Sequence, residues 1–115
     1  PAVTGNTESW NGSAWSEVNN MNDDRRQLVG TGTQTSALAF SGEDPGSGSK
    51  TSTESWNGTS WTNVENLSTG RVVADGSGAS NTSALCFGGA TALTATEEWD
   101  GTGFIIETLT TTSDN

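Results

Sequence analysis

Apolar residues along this chain arrive in short runs of two to four, separated by long stretches of Gly, Ser, Thr and Asn, and the runs recur. Thr7-Glu8-Ser9-Trp10-Asn11-Gly12 returns as Thr53-Glu54-Ser55-Trp56-Asn57-Gly58 and, altered, as Thr96-Glu97-Glu98-Trp99-Asp100-Gly101, at steps of 46 and 43 residues. No run has helical spacing over a useful length; the pattern is that of short strands bounded by turn residues. The repeat from Arg25 to Leu67 predicts four of them: Gln27 to Thr31, Ser36 to Ser41, Ser52 to Trp56 and Ser60 to Val64. Ala37-Leu38-Ala39-Phe40 reads as a strand buried on both faces, and Gly42 to Ser49 as a polar loop. Asn57-Gly58, with Asn11-Gly12 and Asp100-Gly101 in the same slot, predicts a type I′ hairpin turn with both central residues at positive φ.

Repeats of this length are supersecondary units that bury a core only by stacking on neighbours. Three units follow. Residues 1–22 hold a half unit with only the third and fourth strands, Thr7–Trp10 and Trp15–Val18. Residues 23–68 hold a complete unit. Residues 69–115 hold a final one, ending in the strand Phe104–Thr108 and a fraying tail. Ten strands are predicted in all. The chain starts in mid-repeat, as a piece cut from something longer would.

Composition narrows the functions. Only 30 % of residues are hydrophobic and the net charge is −10, from 4 basic and 14 acidic side chains. Such polarity points first to disorder, but five Trp and three Phe at repeating positions can build a core from few residues. The charge disfavours nucleic acid and anionic membranes, whose phosphates are held by Lys and Arg. No apolar run reaches membrane-spanning length, and the first residues are no signal peptide. Cys86 has no partner for a disulfide and occupies the place of Ala39 in the previous repeat, as a small buried hydrophobe would.

Catalytic chemistry has little to work with. There is no His and no Tyr, which removes the usual proton shuttle, the Ser-His-Asp triad and the commonest zinc and copper ligand. Asp23-Asp24, Glu97-Glu98 and Glu107 leave paired-carboxylate chemistry open, against solvated loop charges. Asn22-Asp23-Asp24 and Glu43-Asp44 are oxygen-rich but lack the spacing of a calcium loop. No phosphate-binding glycine pattern is present, and no cofactor or metal is expected. Four Asn-x-Ser/Thr triplets, at Asn11, Asn57, Asn66 and Asn81, follow from the composition.

Four antiparallel strands in about 40–50 residues is the signature of a β-propeller blade, and the wording of the repeat resembles the kelch type. Leu85-Cys86-Phe87-Gly88-Gly89 supplies an apolar strand ending in paired glycines, where the earlier copy, Leu38-Ala39-Phe40-Ser41-Gly42, departs with Ser41. Arg25 and Arg71 stand at the kelch Arg position. The pairs Trp10/Trp15 and Trp56/Trp61 stand one residue closer than the kelch aromatics, and Phe104 replaces the second Trp after Trp99. The chain is also similar to Trp-Asn-Gly-rich kelch-like arrays of marine phage tail-fibre and appendage proteins and related bacterial surface proteins. The kelch-bearing copper oxidase needs a Tyr–Cys site and His ligands, which are absent here. The likeness of Trp-Asn-Gly-Thr-Ser-Trp to the sialidase Asp-box is one residue short.

The resemblance implies an all-β chain of kelch-like propeller blades, about two and a half of them. A closed ring needs about 4–8, so closure by oligomerisation or by further blades of a longer chain is expected. Glu8, Glu54 and Glu97 recur in the third strand and Arg25 and Arg71 after the fourth, which points to an Arg–Glu or Arg–backbone tie. The structural positions are then Trp15, Trp61, Phe104, Phe40 and Phe87 with these charged residues. Trp10, Trp56 and Trp99 divide between blade-to-blade core and exposed platforms for pyranose rings, and with Glu43 and Asp44 they are the candidate ligand or receptor contacts. The expected role is a non-enzymatic structural or adhesive module on an extracellular or virion surface, presenting the loops Gly42–Ser52 and Ala90–Thr94 to a receptor. A multivalent carbohydrate-binding propeller is the rival, and a hydrolase fragment using acidic residues the third reading.

Overall fold

The computed structural model describes residues 3–46, 48–89 and 95–107. The fold is all-β and antiparallel, with no helix among the described residues. Strands β1 (Thr7–Trp10) and β2 (Trp15–Val18) form an N-terminal hairpin. Strands β3 (Val29–Thr33), β4 (Ser36–Phe40), β7 (Thr53–Trp56) and β8 (Trp61–Val64) form a four-stranded sheet in that order. Strands β9 (Asp75–Ser80), β10 (Ser83–Phe87), β11 (Thr96–Trp99) and β12 (Phe104–Glu107) form a second one. Among the described residues these sheets do not close into a ring.

Three details differ from the sequence reading. The loop after β4 carries a small ladder of its own, β5 (Glu43–Asp44) on β6 (Gly48–Ser49). It is stitched to the connector that leads into the next sheet, since Gly42 N donates to the Arg71 carbonyl at 2.8 Å and Arg71 N to the Lys50 carbonyl at 3.2 Å. The first strand of the middle unit begins at Val29 rather than Gln27, because Gln27 takes φ 56° and breaks the ladder. Val73, its equivalent one unit later, also takes φ 56°.

The hairpin turns are not type I′. Trp10 pairs with Trp15 and Trp56 with Trp61, leaving four residues in each loop, and Trp99 pairs with Phe104 around another four. Only the glycines, Gly12, Gly58 and Gly101, have positive φ, at 98°, 99° and 100°. The residue before each glycine acts through its side chain. Asn11 Oδ1 accepts from the amides of Ser13 and Ala14, and Asn57 Oδ1 from those of Thr59 and Ser60. Asp100 Oδ1 does the same for Thr102 and Gly103, and these donors hold its carboxyl below the usual carboxylate range. Asn and Asp serve here because a short side-chain acceptor closes the loop.

Packing follows from strand alternation. Leu38 and Phe40 of β4 face the second four-stranded sheet and meet Ala84, Cys86 and Trp99, with Phe104 against the cluster. Phe40 and Phe104 stack edge to face at 5.5 Å. Full burial of rings such as Phe40 and Trp99 contributes about 1.5–3 kcal/mol each. The inner strands approach closely at Gly76, where an added Cβ would lie 2.9 Å from Val29 Cγ1 and 3.0 Å from Phe40 Cζ. Cys86 is fully buried in this cluster, and burial pushes its thiol up to about 11, with Arg71 opposing. It is unreactive at neutral pH.

Ser41 carries a defect that its repeat partner avoids. Its φ is 65°, like the 75° of Gly88, and its fully buried hydroxyl has no hydrogen-bond partner. A left-handed L-residue costs about 1–2 kcal/mol, and an unsatisfied buried hydroxyl about 1–3 kcal/mol. Ser41→Gly is therefore expected to stabilise the chain by about 1–2 kcal/mol after the small loss of packing. Thermal unfolding checks this, with Ser41→Ala removing the hydroxyl but keeping the strain. A Ser41→Gly melting temperature at or below wild type refutes it.

Candidate functional site

The charged residues that repeat in sequence meet in space. Arg25, just before β3, is buried against Glu54 of β7, with Nη2 3.3 Å from Oε2 and both side chains fully covered. Its Nη1 donates to the Ser41 carbonyl at 3.1 Å and to that of Ser52, and Nη2 donates to the Ala39 carbonyl at 3.2 Å. Glu54 in turn accepts from the backbone amides of Asn22 at 2.7 Å and Asp23 at 3.1 Å. The next unit repeats the motif. Arg71 Nη2 lies 3.2 Å from Glu97 Oε2, Nη1 donates to the Gly88 carbonyl at 2.8 Å, and Glu97 Oε1 accepts from Ser68 N at 2.7 Å. Each tie joins the end of the second strand, the third strand and the incoming connector within one unit. Burial pulls Arg25 below the usual guanidinium range, with Glu54 opposing. Arg25 Nε has no partner, whereas Arg71 Nε reaches Glu97 Oε2 at 3.4 Å.

A second repeated device binds the units to each other. Gln34, in the turn between β3 and β4, donates its amide to Ser9 Oγ (2.9 Å) and to the Trp10 carbonyl of the preceding hairpin. Its own carbonyl accepts the Trp56 indole N–H at 3.0 Å. Asn81, in the turn between β9 and β10, does likewise: its amide donates to the Trp56 carbonyl at 3.1 Å, and its carbonyl accepts from Trp99 Nε1 at 2.8 Å. Ser36 Oγ locks the Asn81 side chain at 2.8 Å. Sequence reasoning missed Gln34 and Asn81. The signal was present, since both are amide residues immediately before the matching Thr-Ser-Ala-Leu blocks.

These clamps correct the assignment of two candidate contacts. Trp56 is 6 % exposed and Trp99 2 %, so neither offers a ring face to a ligand. Trp10 does, at 43 %, tilted against the more exposed Trp15 with ring centroids 5.3 Å apart. Trp61 is half-buried and donates its indole N–H to Thr7 Oγ1 at 3.0 Å. Glu43 is paired with Arg26 at 2.7 Å, partly exposed. Asp44 Oδ1 accepts from Gly46 N, closing the loop tip. The loop Ala90–Thr94 lies outside the described residues.

The acidic candidates for hydrolysis are dispersed. Asp23 is held by Lys50 Nζ at 2.8 Å and Ser52 Oγ at 2.6 Å. Partial burial raises its carboxyl, but those two partners outweigh it and leave it below the usual range. Glu97 is committed to Arg71. Among the described residues no three acidic or cysteine side chains gather as a metal site.

One concave region stands out. A cleft of about 510 Å³ runs between β1 and the faces of β3 and β4, bounded by Thr7, Glu8, Gly30, Thr33, Ala37 and Trp61. A smaller hollow of about 200 Å³ adjoins it beneath Gln34 and Trp56. Glu8, the repeat of Glu54 and Glu97, is exposed in this cleft and has no ion pair among the described residues.

No protein-family model and no curated protein sequence matches the chain.

Proposed function

We propose that this chain is a stretch of kelch-like β-propeller, about two and a half blades, serving as a non-enzymatic structural and adhesive module of an extracellular or virion appendage. One observation carries the reading. Every buried charged side chain among the described residues, Arg25, Glu54, Arg71 and Glu97, is consumed in a tie that recurs from unit to unit. Buried charge spent in the same kind of Arg–Glu tie in successive repeats supports a load-sharing scaffold rather than a reacting centre, where groups differ in environment and in role. Self-association, or further blades of a longer chain, completes the stack. Attachment runs through the exposed tip around Pro45, Gly46 and Gly48, which projects from a base fixed by Arg26 and Arg71.

The exposed Trp10–Trp15 pair favours a second reading, a carbohydrate-binding module in which aromatic faces stack on sugar rings. A glycan array probed with bead-coupled protein separates the two. Retention that survives Trp10→Ala but is lost when Pro45–Ser49 is replaced by Gly-Ser supports attachment through the loop. The reverse result supports the lectin reading, and turnover of a chromogenic glycoside overturns both.

A further inference from the structure

The hairpin loop that recurs in every unit holds a reactive pair to which the scaffold reading gives no role. Asn11-Gly12 and Asn57-Gly58 occupy the slot that Asp100-Gly101 fills in the last unit. All six residues are exposed. The three loops share one geometry. Their glycines have φ of 98°, 99° and 100°, and the side chain before each glycine accepts from the amides two and three residues on. Two loops therefore present a carboxamide where the third presents a carboxylate.

The chemistry open to an Asn-Gly pair is intramolecular attack of the glycine amide nitrogen on the asparagine Cγ. Three features of the loop favour it. The bonds from Asn57 Oδ1 to Thr59 N and Ser60 N, both 2.9 Å, fold the carboxamide back over the peptide that joins Asn57 to Gly58. The same two donors stand ready for the negative charge that develops on Oδ1 during attack. The nucleophile is also free: Gly58 N and Gly12 N have no hydrogen-bond acceptor among the described residues. Neither glycine is crowded, since a Cβ added to Gly58 would meet nothing closer than 3.7 Å and one added to Gly12 nothing within 4 Å.

We propose that Asn57 and Asn11 are self-modification sites, converted within the folded chain through a cyclic imide to an acidic residue. Gly58 N bonds to Asn57 Cγ, the Cγ–Nδ2 bond breaks, and Nδ2 leaves as ammonia with the proton from Gly58 N. Water then opens the imide and leaves a carboxylate. Where the main-chain link is restored the product is aspartate, and the last unit shows how the loop holds one. Asp100 Oδ1 accepts from Thr102 N at 2.9 Å, Gly103 N at 3.1 Å and Thr102 Oγ1 at 2.8 Å. Those donors keep its carboxyl ionised below the usual range, so the loop favours the charged product. The conversion is independent of the scaffold reading and adds negative charge at the same place in successive units.

The test incubates the intact chain in mildly alkaline buffer, where base removes the Gly58 amide proton, and follows each asparagine by tryptic peptide mass. Cleavage at Arg25, Lys50 and Arg71 leaves Asn11 with Asn19 and Asn20, and Asn57 with Asn63 and Asn66, so each peptide carries its own controls. Asn11 and Asn57 are expected to convert while the controls remain amides. Asn57 should react in the folded chain no more slowly than in the same chain unfolded in guanidinium. Thr59→Pro removes one donor from Asn57 Oδ1 and should slow that site about tenfold, while Asn11 in the same sample keeps its rate. A folded rate below the unfolded one, or an Asn57-to-Asn11 rate ratio unchanged by Thr59→Pro, overturns the proposal. The product is checked with Asn57→Asp, whose melting temperature at neutral pH should equal or exceed that of wild type. A lower value would show that the fold resists the acid and would also overturn it.

Discussion

Arg71→Met is expected to lower the unfolding free energy by about 3–5 kcal/mol, well above the cost of removing an exposed charge. The substitution leaves Glu97 fully buried with one backbone donor, Ser68 N, and strips the Gly88 carbonyl of its partner. Most of the cost comes from the carboxylate left buried without a counter-charge; the lost Coulombic attraction is secondary. A domain of this size holds about 5–15 kcal/mol in total, so much of its stability is at stake. Arg71→Met/Glu97→Leu should be less destabilised than Arg71→Met alone, because the orphaned charge goes with its partner. The exposed pair provides the scale: Arg26, 47 % exposed beside Glu43, should cost under about 1 kcal/mol when changed to Ala. Urea titrations with unchanged slopes measure all three. A cost for Arg71→Met no greater than that for Arg26→Ala would show that the buried tie does not hold the unit together.

How far the fold and the site are legible in the sequence depends on the range of each interaction. Strand positions and the presence of hairpins follow from local alternation and can be read directly, whereas the pairing of Trp10 with Trp15 and of Trp56 with Trp61 depends on the four-residue loops that replace the expected two-residue turns. The Arg–Glu recurrence is visible as a pattern, although only the fold shows that the carboxylate oxygens also cap the connector amides of Asn22, Asp23 and Ser68. The turn type is misleading because Asn-Gly fits two solutions. A two-residue turn demands positive φ at Asn, while a four-residue loop uses the Asn side chain instead. Gln34 and Asn81 escape notice as functional residues because they bind backbone and side-chain groups far away in the sequence. Exposure is the least legible property. Trp10, Trp56 and Trp99 sit in the same sequence frame, yet what covers each is another part of the chain.

The same dependence on neighbours makes Phe40→Ala and Phe87→Ala a decisive pair. Both residues end the same five-residue strand, and sequence alone gives them equal weight. Phe40 is fully buried beneath the second sheet, edge-on to Phe104 and against Gly76, whereas Phe87 is 39 % exposed with Leu85 beside it at 40 %. Burial alternates along β10, with Ala84 and Cys86 inside and Ser83, Leu85 and Phe87 outside, while the last three residues of β4 are all buried. Phe40→Ala should therefore cost about 3–5 kcal/mol, combining lost transfer energy with a cavity that rigid strands cannot collapse. Phe87→Ala should cost under about 1 kcal/mol for the isolated chain, since much of its apolar surface already meets water. Chemical denaturation at low protein concentration measures both, and repeating it at high concentration adds a further discrimination. If another repeat unit packs on the Leu85–Phe87 face, the cost of Phe87→Ala will climb toward that of Phe40→Ala as the concentration rises, because the linkage to assembly then includes that ring. Equal costs at every concentration would mean that the face is covered within one chain, and would refute the asymmetry between the two sheets on which the stacking argument depends.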